Sequence, residues 1–102
     1  MEQKEQKTVY TGSAAETARL FGAFDANMKI VEDTFGVTVH NRASDSGDGD
    51  ALIISGDSHE AVEGAAEAVE ALRRSASGMG AVSEQTALYV SSMVRDGRGA
   101  EL

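Results

Sequence analysis

The segment from Leu20 to Val39 constrains the fold most, because it combines a helix end, a tight loop, a second helix, a glycine stop and a strand. Asp25 stands where the N-cap of the second helix is expected, and its carboxylate can accept N–H groups of the first turn. Gly36 follows the helix as a left-handed cap, and the alternating residues 37–40 predict a half-buried strand. The apolar positions that recur at the helical period are Met28, Val31 and Phe35. Because the helix, the glycine and the strand all lie within about fifteen residues, the strand must fold back against the helix that precedes it.

Two further elements are predicted before this segment. Residues 7–11 are rich in strand formers, and Gly12 ends that strand. Ser13 and Glu16 have the spacing of a capping box, which predicts a short helix over residues 14–21 that ends at Gly22.

The second half of the chain predicts a hairpin and two helices. A polar loop over residues 43–50 separates the strand at 37–40 from the apolar residues 51–54, which is typical of an antiparallel hairpin. Asp57 and Glu60 then have box spacing before an alanine-rich helix that ends at residues 78–80. A last helix begins at Ser83.

The predicted order is therefore βααββα plus one helix. It predicts an α+β fold in which a three-stranded sheet has helices packed on one face. We expect a disordered N-terminus over residues 1–6, one domain over residues 7–95, and a flexible tail or linker over residues 96–102.

Composition limits the classes of function. The chain of 102 residues has a net charge of −8, so its overall field repels phosphate, and any nucleic-acid site must be local. It has no cysteine, which excludes a disulfide framework, a thiolate metal site and a cysteine nucleophile. With no disulfide needed, a cytoplasmic location is the simplest interpretation. No apolar run approaches the ~18 residues of a membrane span, so no membrane contact is expected.

The element order, with a Gly-x-x-x loop between the first two helices, resembles the KH nucleic-acid-binding fold in its type I arrangement. In KH domains a GxxG loop joins two helices and clamps the backbone of about four nucleotides. A narrower resemblance is to PhoH-family proteins, whose N-terminal KH-like domain precedes a P-loop ATPase domain. The residues that carry this second resemblance are Leu20, Phe21, Gly22, Asp25, Asn27, Met28 and Lys29.

The resemblance implies an accessory KH-like, RNA-binding domain of a PhoH-like ATP-binding protein. The P-loop pattern is absent from this sequence, so the ATPase part and its ATP and Mg²⁺ would lie outside this chain, which itself carries no catalytic motif and no cofactor. The implied partners are single-stranded RNA, bound weakly, the ATPase domain of the same protein, and further copies in a full-length homo-oligomer. The alternative is a degenerate KH fold that serves as a protein-interaction or oligomerisation module without direct contact with nucleic acid.

The loop that begins at Gly22 is the main candidate site. The resemblance would place Ala23 and Phe24 in the clamp and Arg19, Lys29 and Arg42 along one groove beside it, with Asp25 and Asn27 as loop and helix caps. The sequence departs from the GxxG pattern, because Asp25 replaces the second glycine and neither middle residue is basic. Asp25 can instead be a simple N-cap, and the three cations a solvated surface. Phe24 can stack a base, contact a neighbouring subunit or fold back onto the core.

Other candidate residues have simpler interpretations. Asp45, Asp48 and Asp50 do not follow the EF-hand spacing and are typical of a solvated hairpin loop. His40 and His59 lie far apart without a third ligand, and the serines have no partner pattern for nucleophilic catalysis, so no metal or catalytic residue is predicted.

Overall fold

The computed structural model describes residues 5–22, 25–43, 49–79 and 82–101. Strand β1 (Glu5–Tyr10) is followed by helices α1 (Ala14–Phe21) and α2 (Ala26–Phe35), and then by strands β2 (Thr38–Ala43) and β3 (Asp50–Gly56). Helices α3 (His59–Met79) and α4 (Glu84–Arg95) complete the fold, and a 3-10 turn covers Gly99–Glu101. The predicted α+β fold is confirmed: the elements follow the KH-like βααββα order, with an added C-terminal helix.

The three strands form one antiparallel sheet in the order β1-β3-β2. The predicted hairpin of β2 and β3 is confirmed, with His40 opposite Ile53 and Arg42 opposite Ala51. Side chains of a strand point alternately to the two faces of a sheet. The fully buried Leu52 and Ile54 therefore mark the face covered by the helices. We call the other side the open face.

The core lies between the helix-covered face of the sheet and α3. Helix α3 contacts β1, β3, α1 and α2, and α4 packs against α2 and α3. The alanine-rich face of α3 brings its backbone close to the sheet, since its buried alanines carry only a methyl group. The largest fully buried apolar side chains are Leu20, Leu52, Ile54, Leu72, Val31, Val62 and Val69.

Several predicted caps have the expected geometry. The Ser13 Oγ accepts a hydrogen bond from the Glu16 N–H, and Gly36 has a φ of 68° with its N–H donated to the Glu32 carbonyl. At α3 the expectation that Asp57 and Glu60 form the cap is wrong. The Ser58 Oγ accepts from the Ala61 N–H at 3.1 Å, because the helix begins one residue later than that spacing implies.

The ends of the chain also differ in detail from expectation. Strand β1 begins at Glu5, so two residues of the segment predicted to be disordered pair with the end of β3. Strand β2 continues to Ala43. In the tail, Arg98 donates to Glu101 at 2.8 and 3.0 Å across the 3-10 turn. Among the described residues, no helix is long and apolar enough to cross a membrane.

Candidate nucleic-acid groove at the hinge between the first two helices

The hinge between α1 and α2 has an unusual backbone at both ends. Gly22 has a φ of 76°. Asp25 has a φ of 59° and a ψ of 25°, which is the left-handed conformation that glycine adopts without a Cβ penalty. The position where Asp25 departs from the GxxG pattern therefore keeps a backbone suited to glycine.

The predicted N-cap bond of Asp25 is absent. Its side chain makes no cap hydrogen bond, although it occupies the N-cap position. N-cap residues normally have an extended backbone that turns the side chain toward the first N–H groups. The left-handed backbone of Asp25 does not turn the side chain in this way. The exposed carboxylate therefore lies at the N-terminus of α2 without a hydrogen bond to the first N–H groups of the helix.

Asn27 has a structural role that the sequence did not reveal. Its side chain is fully buried, and Nδ2 donates to the Leu20 carbonyl at 3.0 Å and to the Val82 carbonyl at 2.8 Å. A Cβ added to Gly22 would lie 2.8 Å from the same nitrogen. Asn27 thus joins the end of α1 to the segment just before α4 instead of capping α2, and it requires glycine at residue 22.

A groove of about 390 Å³ opens beside this hinge, between α1 and the ends of the strands. Two carboxylates, Asp25 and Asp50, line it, and none of its described lining residues is a lysine or arginine. The described residues of its lining are Ala14, Thr17, Ala18, Phe21, Gly22, Asp25, Asn41 and Asp50. Ala23 and Phe24, predicted to belong to the loop site, lie outside the described residues, as do Asp45 and Asp48.

The three cations predicted to flank the groove do not converge on it. Arg42 follows Asn41 on β2, and since Asn41 lines the groove, alternation places Arg42 on the open face of the sheet. Lys29 is exposed on α2, one turn beyond Asp25. None of the three cations is therefore among the described residues that line this groove, and a shared binding surface for Arg19, Lys29 and Arg42 stays a prediction.

Arg19 belongs to an ionic cluster on the other side of α1. The Arg73 Nε of α3 donates to Glu16 at 2.7 Å, and Arg73 Nη1 donates to Glu70 at 3.1 Å. The hydrogen bond from Arg73 is the main cause that lowers the pKa of Glu16 below its usual range, and the charge of Arg19 contributes. This cluster fixes α1 on α3, and Arg19, one helical turn after Glu16, is not among the described residues that line the groove.

A second cavity of about 540 Å³ lies at the opposite end of α2. Phe35 lines it against Gly64, and three glutamates (Glu60, Glu63 and Glu67) and Arg95 surround it. Glu63 also pairs with Lys7 at 2.8 Å, and this hydrogen bond is the main cause that lowers the pKa of Glu63. Within the described part of the chain, no group of three or more acidic or histidine side chains is arranged to hold a metal ion.

Comparisons of the chain with known protein families, with curated proteins and with solved structures find no match.

Proposed function

We propose that this chain is the KH-like accessory domain of a PhoH-type ATPase and that it contributes contact with single-stranded RNA to that larger protein. The ATPase domain of the same protein would be its covalent partner and would supply ATP binding with Mg²⁺. The chain would act in the cytoplasm as a binding module without its own catalysis.

The observation that carries the proposal is the hinge. Gly22, Asp25 and Asn27 belong to the sequence that resembles PhoH proteins, and each has a defined place in the turn between two KH-like helices. The residues that carry the sequence resemblance therefore lie at the hinge between α1 and α2, where KH domains have their binding loop.

The electrostatics of the chain make the expected RNA affinity low. Among the described residues two carboxylates line the groove, and the net charge is −8, so phosphate is repelled at long range. A carboxylate about 4 Å from a phosphate costs roughly 1 kcal/mol even in water. We therefore expect binding that is clear only at low salt.

The test is a titration of a fluorescently labelled oligouridine of about eight nucleotides with the chain, followed by anisotropy. It is performed at about 50 mM and about 200 mM salt. We expect saturable binding in the micromolar range at the lower salt and weaker binding at the higher one. A flat titration at both concentrations would contradict the RNA part of the proposal.

A second function is favoured by the carboxylates of the groove. Asp25 and Asp50 line a concave surface that suits the lysine or arginine side chains of a protein partner better than phosphate. In that case the KH-like fold would serve as an interaction or oligomerisation module. The same titration separates the two functions, because an interaction module predicts no saturable RNA binding at either salt concentration.

A further inference from the structure

The open face of the sheet differs in charge from the groove and from the cavity at the far end of α2. Alternation along the three paired strands places nine described residues on it, and none of these is acidic. They form three rows across the sheet: Gln6, Ser55 and Thr38; Thr8, Ile53 and His40; Tyr10, Ala51 and Arg42. By contrast, carboxylates line both the groove and the cavity at the far end of α2.

This face presents two aromatic rings and one cation. Tyr10 is 69% exposed, although it is a large aromatic residue on a strand, and His40 and Arg42 are also exposed. Ile53 and Ala51 lie between them on the central strand and are half-buried. Since neighbouring strands are about 5 Å apart, Tyr10 and Arg42 lie about 10 Å from each other across β3.

These side chains match the chemistry of single-stranded RNA. Unpaired bases stack on tyrosine and histidine rings, and an arginine pairs with a backbone phosphate. Sequence-tolerant stacking of this kind does not need the glycine loop of a KH clamp. In a chain of net charge −8, a face free of described carboxylates also repels phosphate less than the groove and the cavity that carboxylates line.

We propose that the open face of the sheet binds single-stranded RNA, with Tyr10 and His40 stacking on bases and Arg42 contacting the phosphate backbone. This inference rests on the proposed function and moves its RNA contact from the groove to the opposite side of the sheet. A second copy of the chain is a poorer occupant, because none of the nine described residues of this face is a carboxylate that could pair with Arg42 of the other copy.

The footprint of the RNA is mapped by NMR titration of the isotope-labelled chain with the same oligouridine at about 50 mM salt. We expect shifts in the amide signals of Thr8, Tyr10, His40 and Ile53. Shifts confined to Thr17, Gly22 and Asn27 would overturn the open-face assignment while the proposed RNA function stands. No shifts at any residue would overturn both.

Matched variants test the individual contacts. Tyr10→Thr keeps strand propensity but removes the ring, and we expect an affinity at least about fivefold lower, as for loss of one stacked base. The control is Tyr89→Ala, which removes another exposed tyrosine, 58% exposed, from α4. Unchanged RNA affinity in a Tyr10→Thr protein whose spectrum is that of a folded chain would overturn the proposal.

Arg42→Ala is expected to reduce the slope of log affinity against log salt by about 0.7, the value for one phosphate contact on a single strand. Arg95→Ala removes the same charge at the far end of the molecule and should leave the slope unchanged. Equal effects of the two variants would overturn a local role for Arg42. The proposal would also be overturned if the amide signals of the open face shifted with protein concentration in the absence of RNA. Such shifts would indicate that a second copy of the chain occupies this face.

Discussion

At the scale of single residues, Asn27 is the side chain on which the hinge depends. Its amide satisfies two buried carbonyl groups that belong to different parts of the chain, at Leu20 and Val82. A buried carbonyl without a donor costs about 1–3 kcal/mol. The bond to Val82 therefore holds the hinge through a contact outside its own loop.

The first prediction follows from these two bonds. Asn27→Ala should lower the free energy of unfolding by about 2–4 kcal/mol, because both carbonyls lose their donor. The measurement is urea denaturation followed by circular dichroism. Asn41→Ala, at an exposed asparagine of β2, is the control and should change stability little. Equal stability of the two variants would show that the amide bonds of Asn27 do not support the hinge.

The second prediction concerns the backbone of Asp25. Asp25→Gly should stabilise the fold by up to about 1 kcal/mol, because glycine adopts the φ of 59° without a Cβ penalty. Thermal unfolding measures the effect. A variant less stable than the original chain would mean that the charge of Asp25 stabilises the start of α2 by more than the backbone relief.

Local sequence signals predicted the roles of some of these residues and not of others. Ser13 and Gly36 could be predicted because their partners lie within one helical turn. The role of Asn27 could not, because its second partner lies 55 residues further along the chain. The conformation of Asp25 also escaped prediction, since aspartate is common both at N-caps and in left-handed turns.

At the scale of elements, the Glu16–Arg73 pair ties α1 to α3. The two side chains are 16% and 28% exposed, so solvent screens the pair less than it screens the pairs at the surface. Its hydrogen bond lowers the pKa of Glu16 in the folded state. Because the pKa of Glu16 is lower in the folded than in the unfolded chain, the pair stabilises the fold fully above the unfolded pKa of about 4.3. This contribution to the free energy of unfolding is lost as the pH falls below that value and through the folded pKa.

The third prediction is a pH dependence that this pair causes. Stability of the original chain should fall as the pH drops below about 4.3, and Glu16→Gln should make that fall shallower. At neutral pH the variant should be less stable by about 1–2 kcal/mol, because a charged hydrogen bond is weakened. Urea unfolding at a series of pH values tests both. Parallel curves for the two proteins would show that Glu16 does not contribute to the acid sensitivity.

The order of elements was predictable and their docking was not. Capping signals, glycine stops and the alternation of apolar residues are local, so they predict the strands and helices to within a few residues. The position of α4 against α2 and α3 depends on contacts between distant segments, including the Asn27 bond to Val82. No pattern within α4 itself indicates that arrangement.

At the scale of the whole molecule, the arrangement of charge decides which surface can meet RNA. None of the three cations predicted to flank one groove is among its described lining residues, and the alternation of β2 places Arg42 on the open face of the sheet. The groove keeps its carboxylates, and the open face of the sheet keeps Arg42. Which residues of β2 face the groove depends on the side of the sheet that α3 covers. The sequence of β2 alone does not reveal that side.

The most direct test of the account is the salt dependence of the affinity of the unaltered chain for an oligouridine. We predict measurable binding at about 50 mM salt and a slope of log affinity against log salt of about −0.7 to −1.4, which corresponds to one or two phosphate contacts on a single strand. Absence of binding at low salt, or an affinity that does not change with salt, would contradict the account.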